Sequence, residues 1–355
     1  MPASGVPDIG ASPGMSSPNG GIFEEMLTAT DELRHPLGNE LHVRESLYFN
    51  FNDPRLGIGG WIYVWVLPNQ PLATGMLVAF YKGLWAAQDC LDRANEKPGH
   101  QLRRAGDWLY CVQRNGTALV DDDFDDFSFG GLHLRRLEPL KSCAISFEDG
   151  EGSSFDLQFD FLTPPYDYAD GAHPTPSWMA ANRYHRAHAV TGELNIGGER
   201  LAVNCTGDSD HSWGLRDMDA FGQNLFKMWS MQSEDRRVLI SVIDQGVGDR
   251  SIALGFVSID GETASASTIR SRTRFDDQAI QAGIELEIED TLGRKIRARM
   301  PAMHSCVGWR ATADFWGVEG VGAFEIEGQG PASGLSSYFW PSRIAPDALA
   351  AGQWS

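Results

Sequence analysis

Period-two alternation of apolar and polar residues, cut repeatedly by turn dipeptides, constrains this chain more than any other feature. Phe155, Leu157, Phe159 and Phe161 alternate with Asp156, Gln158 and Asp160; Ile284, Leu286 and Ile288 alternate with Glu285, Glu287 and Glu289. Successive side chains of a strand point to opposite faces, so each run reads as a strand with one core face and one polar face. Asp149-Gly150, Gly197-Gly198, Asp260-Gly261 and Leu292-Gly293 are turn signals between such runs. Cys143-Ile145-Phe147, the Asp149 turn and the run from Phe155 together predict a hairpin. The pattern predicts an all-β sandwich or barrel architecture with roughly twenty strands. That is too many for one small barrel, so two β units are expected.

One helix is expected near the start, over residues 22–33 (IFEEMLTATDEL). Residues 1–22, rich in Gly, Pro and Ser, read as a disordered tail with neither the basic start nor the apolar stretch of a secretory signal. The segment 163–178 (TPPYDYADGAHPTPSW) is the boundary candidate between the two units. No repeat of solenoid or propeller period is visible. With 355 residues, 42% of them hydrophobic, the chain has material for a substantial core. Its 48 acidic against 29 basic side chains give a net charge of -19, which repels phosphate backbones and argues against a nucleic-acid partner. No apolar run is long enough to span a bilayer. Five cysteines without a CxxC pair argue against zinc ribbons, redox dithiols and a disulfide framework, so a reducing, cytoplasmic location is expected.

The densest polar cluster is GDSDHSWGLRD, residues 207–217, following the strand-like run 201–205. If the strand continues, Asp208, Asp210, Ser212 and Gly214 share one face, and Ser209, His211, Trp213 and Leu215 the other. A His and a Trp two apart, flanked by carboxylates, offer a proton donor and an aromatic wall. The same residues equally fit a structural turn, with Asp and Ser bonded to backbone. Spacing alone leaves both readings open.

GDSDHSWGLRD resembles the DHSWG-type signature of the carotenoid hydratase (hydroxyneurosporene synthase) and AttH-like superfamily. It is most similar to a branch found in bacterial lipid and steroid degradation settings. YFNFNDPRLGIGGW (48–61) and GAFE (322–325) agree, and the likeness spans residues 24–344. Two positions depart from the pattern: Ser209 stands where a basic residue is common, and Met218 where an aromatic is expected. The resemblance implies two packed lipocalin-like β-barrel or sandwich domains, here 23–178 and 179–345, with an apolar ligand cavity. It further implies a hydratase or dehydratase acting on an isoprenoid- or steroid-like alkene or tertiary alcohol, with His211 and Trp213 in the family's His-x-Trp and Asp210 directly before it.

Such chemistry needs a positioned proton donor and a stabilised tertiary cation. A carboxyl group in an apolar cavity has its pKa raised, so Asp210 or Asp208 is the expected general acid. His211 is expected to orient that acid or to take a proton from water. Trp213 is the expected aromatic wall, with Trp229, Trp316 and Trp340 as further candidates and Glu325 as a second acid. Neither cofactor nor metal is expected, since no dinucleotide fingerprint, P-loop or nucleophile elbow appears. Gly57-Ile58-Gly59-Gly60 reads as a turn or bulge. His185 and His188 would point to opposite faces of a strand, with His173 nearby in the linker, so joint metal ligation is disfavoured. Asp121–Asp126 reads as an exposed acidic turn rather than a calcium loop, and Arg216 and Asp217 as a salt-bridged pair. Isomerisation or cyclisation through the same cation, and non-catalytic carriage of an apolar ligand, are the competing readings. An apolar small molecule is the expected partner, with transient contact at a membrane surface. Oligomeric state is not legible in the pattern.

Overall fold

The computed structural model describes residues 27–341, apart from 86–99, 177, 181, 218–219, 221, 248–249 and 313–314. The chain opens with β1 (Val43–Asp53), β2 (Ile58–Val66), β3 (Thr74–Lys82) and the short β4 (Leu84–Trp85). Then come β5 (His100–Arg104), β6 (Asp107–Gly116), β7 (Asp126–Phe129), β8 (Leu132–Glu138), β9 (Ser142–Glu148) and β10 (Ser154–Phe161). β11 (Tyr166–Asp167) precedes the two longest strands, β12 (Asn182–Ile196) and β13 (Glu199–Leu215). The remainder is β14 (Phe226–Ser233), β15 (Val238–Val247), β16 (Arg250–Ile259), β17 (Glu262–Phe275) and β18 (Gln281–Asp290). It ends with β19 (Lys295–Met300), β20 (Met303–Thr312), β21 (Phe315–Ile326) and β22 (Gly330–Pro341).

Two sheets result, as the alternation predicts. The first, of 12 strands, runs β5-β6-β3-β2-β1-β13-β12-β10-β9-β8-β7, with β11 on β12, and curls into a half-barrel. The second closes, because β14 to β19 run in sequence and β19 also pairs β21, which returns through β22 to β14. This is the two-domain lipocalin-like, all-β fold. Alternation sets the layers. Leu47, Phe49, Ile62, Val64, Val78 and Phe80 fill the half-barrel. Trp229, Ile240, Ile284, Leu286 and Ile288 fill the barrel, with Glu285, Glu287 and Glu289 outside it. A third apolar layer, including Trp61, Tyr81, Ile243, Val321 and Leu335, lies where the outer faces of the two sheets meet. The hairpin pairs as expected, Phe155 opposite Phe147 and Leu157 opposite Ile145.

Two expectations are corrected. In its described part the 22–33 helix is a single 3-10 turn, Ala29–Glu32, whose Glu32 is buried against Arg186 at 2.6 Å. An ion pair, not an apolar helical stripe, docks it; residues 1–26, including the expected tail, lie outside the described residues. Nor does the sheet division fall at residue 178. β12 and β13 pair with β10 and β1, so the first sheet reaches Leu215 and the motif belongs to it. The segment 163–176 acts instead as a bridge: Tyr166 Oη donates to Ser265 Oγ at 2.8 Å, and His173 Nε2 lies 2.9 Å from the Ser267 carbonyl oxygen. A second bridge is β4, which pairs parallel with β20 of the other sheet.

Candidate functional site

The motif is strand, so parity divides it. Asp208, Asp210 and Ser212 face outward, toward the barrel; Ser209, His211 and Trp213 face into the half-barrel. The expected partnership of Asp210 with His211 therefore does not form.

The outward residues build a polar island in the apolar interface. Arg183 Nη2 donates to Asp210 Oδ2 at 2.7 Å, and His185 Nε2 lies 3.1 Å from the same oxygen. Burial alone would raise the Asp210 carboxyl, but the Arg183 guanidinium and the His185 ring outweigh it and hold the group at about 2. Asp210 is thus an ion-paired partner of Arg183, an environment that favours its charged form over the protonated one a general acid needs. Asp208 Oδ1 accepts from Asn50 Nδ2, and its Oδ2 accepts from Ser241 Oγ at 3.0 Å. Ser241 Oγ and Tyr168 Oη each lie 3.1 Å from His185 Nδ1. His185 Nε2 also lies 2.9 Å from Arg183 Nη2, so the ring and the guanidinium meet at the same carboxylate oxygen.

Across the interface, β21 presents Glu319. Tyr48 Oη, on β1 opposite Asp210 in register, donates to Glu319 Oε2 at 3.0 Å. Burial, reinforced by the negative charge of Asp208 and Asp210, pushes Glu319 up to about 7, against hydrogen bonds from Tyr48 and Ser337. Tyr81 Oη, whose phenol feels Glu319, is buried without a hydrogen-bond partner, so a donor is left for a bound hydroxyl or water. Tyr48 and Trp61 add ring faces, their centroids 6.5 Å apart.

The inward residues do a different job. Glu45 Oε1 is 2.9 Å from His211 Nε2 and 2.7 Å from His35 Nδ1, while His211 Nδ1 lies 3.1 Å from the Asp31 carbonyl oxygen. Trp213 stacks on His35 with centroids 3.8 Å apart. His35, Glu45 and His211 are ligand types within 4.8 Å of one another, so they are the described residues able to hold a metal. Their hydrogen bonds already tie residues 28–42 across the end of the half-barrel. Arg34 adds to this strap, its backbone N–H donating to Asp123 Oδ1 at 2.7 Å, which gives the acidic run a structural use. Burial lowers the His211 pKa, against the pull of Glu45.

The family model "Domain of unknown function (DUF7064)" matches residues 28–341, the span of both sheets. The chain belongs to the DUF7064 family. No curated protein matches this DUF7064 chain in sequence. Among solved structures it is similar to a putative AttH from Nitrosomonas europaea, with 16% identity and TM-score 0.59 over 89% of this chain and 98% of that one. It is also similar to kievitone hydratase from Nectria haematococca, with 10% identity and TM-score 0.51 over 84% and 89%. CghA with Sch210972 gives 11% identity and TM-score 0.52 over 84% and 88%. At these identities the likenesses establish the fold alone.

In this DUF7064 chain Asp208 and Asp210 come together with Tyr48 and Glu319, while the other candidates lie elsewhere. Trp229 and Trp340 are buried inside the barrel and Trp316 packs against that core. Glu325 sits on the surface with Arg299, 2.6 Å away. Asp217 accepts from the Ala220 N–H at 3.0 Å, and Arg216 reaches Tyr63. Ser209 Oγ is buried without a partner, and Met218 lies outside the described residues. His185 and His188 do face opposite ways, His188 bonding the Asn50 carbonyl oxygen at 2.8 Å inside the half-barrel. Cys143, Cys205 and Cys306 are free, buried thiols and Cys111 is buried; Cys90 lies outside the described residues. Sequence reading missed Glu319, Arg183 and Ser241, and considered His185 only as a metal ligand. One signal existed for Glu319: it is the lone charged residue in WGVEGVGAF.

Proposed function

We propose that the chain is a cofactor-independent hydro-lyase, with its site in the interface and Glu319 as the proton donor. The substrate is apolar and isoprenoid- or steroid-like, hydrated at a carbon–carbon double bond or dehydrated at a tertiary alcohol. The observation carrying this reading is a buried carboxyl group, held by Tyr48, opposite an ion-paired Asp210–Arg183 in an otherwise apolar interface. That Glu319 is protonatable near neutrality supports it. So does a fold shared with a protein described as kievitone hydratase.

In hydration, the Glu319 proton adds to one alkene carbon and leaves a tertiary cation on its neighbour. Asp208 and Asp210 stabilise that charge electrostatically, and the faces of Trp61 and Tyr48 each add about 0.5–2 kcal/mol by cation–π attraction. Tyr48 and Ser337 steady the Glu319 carboxylate while it lacks its proton. Water adds to the cation, its oxygen held by Tyr81 Oη, and its surplus proton returns to Glu319. Dehydration is the reverse. The AttH-like and carotenoid hydratase kinship read from GDSDHSWGLRD fits this activity, but Asp210 serves as an electrostatic and positioning group, and His211 and Trp213 as the strap's anchor.

The test is mass spectrometry of products from isoprenoid and steroid alkenes in doubly labelled water, for the wild type and Glu319→Gln. Deuterium and heavy oxygen in the wild-type product, both absent with a folded variant, support the assignment. Deuterium without oxygen would make the protein an isomerase or cyclase. No label, with the same apolar ligand co-purifying in both proteins, would make it a carrier.

A further inference from the structure

Glu45 is a wholly buried carboxylate whose charged neighbours are imidazoles. The buried carboxylates Glu32, Asp53, Asp210 and Asp290 each pair with an arginine. Among the described residues no Lys or Arg forms an ion pair with Glu45. Instead, two rings from separate elements converge on its Oε1: His35 Nδ1 of the strap at 2.7 Å and His211 Nε2 of β13 at 2.9 Å. In the β1–β13 register Glu45 is opposite Trp213 and Leu47 opposite His211, so Glu45 and His211 are diagonal neighbours on the inner face. Both rings are held in place by what surrounds them. Trp213 lies flat on His35, with 3° between the planes. Tyr184 and Phe124 meet His211 edge to face, their centroids 5.3 and 5.5 Å away.

Both nitrogens of His211 face acceptors, the Glu45 carboxylate at Nε2 and the Asp31 carbonyl oxygen, 3.1 Å away, at Nδ1. A neutral imidazole carries one N–H and satisfies one of them, so a second proton or a cation must serve the other. A divalent ion between His211 Nε2, His35 Nδ1 and Glu45 Oε1 meets every demand at once. It leaves the Nδ1–H of His211 for the Asp31 carbonyl, the kind of bond that orients a ligating histidine. It also supplies the positive charge that a buried carboxylate requires. The His35 backbone N–H reaches both Glu45 oxygens at 3.1 Å, so Oε2 keeps that bond while Oε1 binds the ion. Zinc holds nitrogen and oxygen ligands at about 2.0–2.2 Å, which sets two ligand atoms of a tetrahedral site about 3.3 Å apart. The three atoms already lie within 4.8 Å of one another. Loading therefore widens the two short gaps by only about 0.5 Å.

We propose that His35, Glu45 and His211 form a zinc site that pins the strap to β1 and β13. The fourth position falls to solvent, on the side where the His35 ring is 18% exposed, which is also the way in for the ion. Two imidazoles with one carboxylate suit zinc, whereas calcium and magnesium take oxygen ligands. No spacing motif announces the site, because its ligands stand 10 and 166 residues apart and meet through strand pairing. Glu45 and His211 lie on the opposite faces of β1 and β13 from Tyr48 and Asp210. The ion is thus separate from the hydro-lyase reading and takes no part in its proton transfer.

The test is Zn²⁺ binding to the full chain after treatment with a chelator and dialysis, by isothermal titration calorimetry, with hydrogen exchange read on the chelated and the loaded protein. Wild type should take up about one Zn²⁺ per chain. Loading should slow exchange over residues 28–42 by about tenfold or more and leave β14 to β16 unchanged. His35→Gln and Glu45→Gln should each weaken binding by about tenfold or more. If Glu45→Gln fails to fold, His35→Gln carries the test, since that ring is partly exposed and lies outside both sheets. Equal affinity in wild type and His35→Gln would place the ion elsewhere and overturn the site. Strap exchange that zinc leaves unchanged would overturn it too. So would less than one ion per chain at tenfold excess of zinc, which would assign a second proton, not an ion, to His211.

Discussion

Glu319 and Asp210 are carboxyl groups buried in one interface and pushed in opposite directions, which makes them separable by pH. The folded-state pKa of Glu319, about 7, exceeds its ordinary 4.5, so between these values the folded protein binds the extra proton. Stability from this group is therefore full below pH 4.5 and lost as pH rises through 7. Wild type should lose about 2 kcal/mol more than Glu319→Gln between pH 5.5 and 8.5, measured by urea denaturation. Turnover should fall about tenfold per pH unit above 7, since only the protonated acid can donate. Asp210 is the converse: its folded pKa of about 2 lies below the ordinary 3.8, so its contribution is present above pH 3.8 and lost as pH falls through 2. Asp210→Asn leaves Arg183 buried and unpaired, and should cost about 3–5 kcal/mol in the same denaturation assay at pH 7. The sequence showed that the motif holds carboxylates. It did not show their charge states, because Arg183 is 27 residues from Asp210 in sequence and the Glu319 environment is set by the other sheet.

β13 shows how one strand serves two sites by parity alone. The alternation of GDSDHSWG was legible, and it correctly separated Asp208 and Asp210 from His211 and Trp213. What lay opposite each face was not legible, because β13 pairs with β1, far away in sequence, at a register that no local pattern encodes. The same non-local pairing placed the motif in the first sheet. Gly214 ends the motif at φ 103°, a conformation that glycine adopts freely and other residues resist. On the inner face Glu45 gathers the His35 backbone N–H, the His35 ring and the His211 ring. Glu45→Ala should release the strap. Hydrogen exchange over residues 28–42 should rise tenfold or more, with cleavage by trypsin after Arg34, while β14 to β16 keep their protection. Unchanged exchange in the strap would show that Arg34 and Glu32 suffice to hold it.

At the scale of the whole molecule, half-barrel and barrel are one cooperative object, because each completes the burial of the other. The outer face of β2 approaches so closely that a Cβ on Gly59 would stand 2.7 Å from Val321 Cγ2 of the barrel. Ser305 Oγ of β20 donates to the Gly57 carbonyl oxygen at 2.6 Å and accepts from the Gly83 N–H at 2.8 Å, a direct stitch between sheets. Together with β4 on β20 and the 163–176 bridge, these contacts join the two sheets that enclose the apolar layer. Neither sheet can unfold without exposing that layer, so chemical denaturation should show a single transition by tryptophan fluorescence and by far-ultraviolet circular dichroism. Leu335, 1% exposed in the layer, is the place to break this coupling. Leu335→Asp buries an unpaired carboxylate between the sheets without touching either barrel interior. It should lower overall stability by more than 3 kcal/mol and part the two probes into separate transitions. Coincident transitions in that variant would mean that the stitches alone couple the sheets. The site between them would then be held by those hydrogen bonds, not by apolar contact.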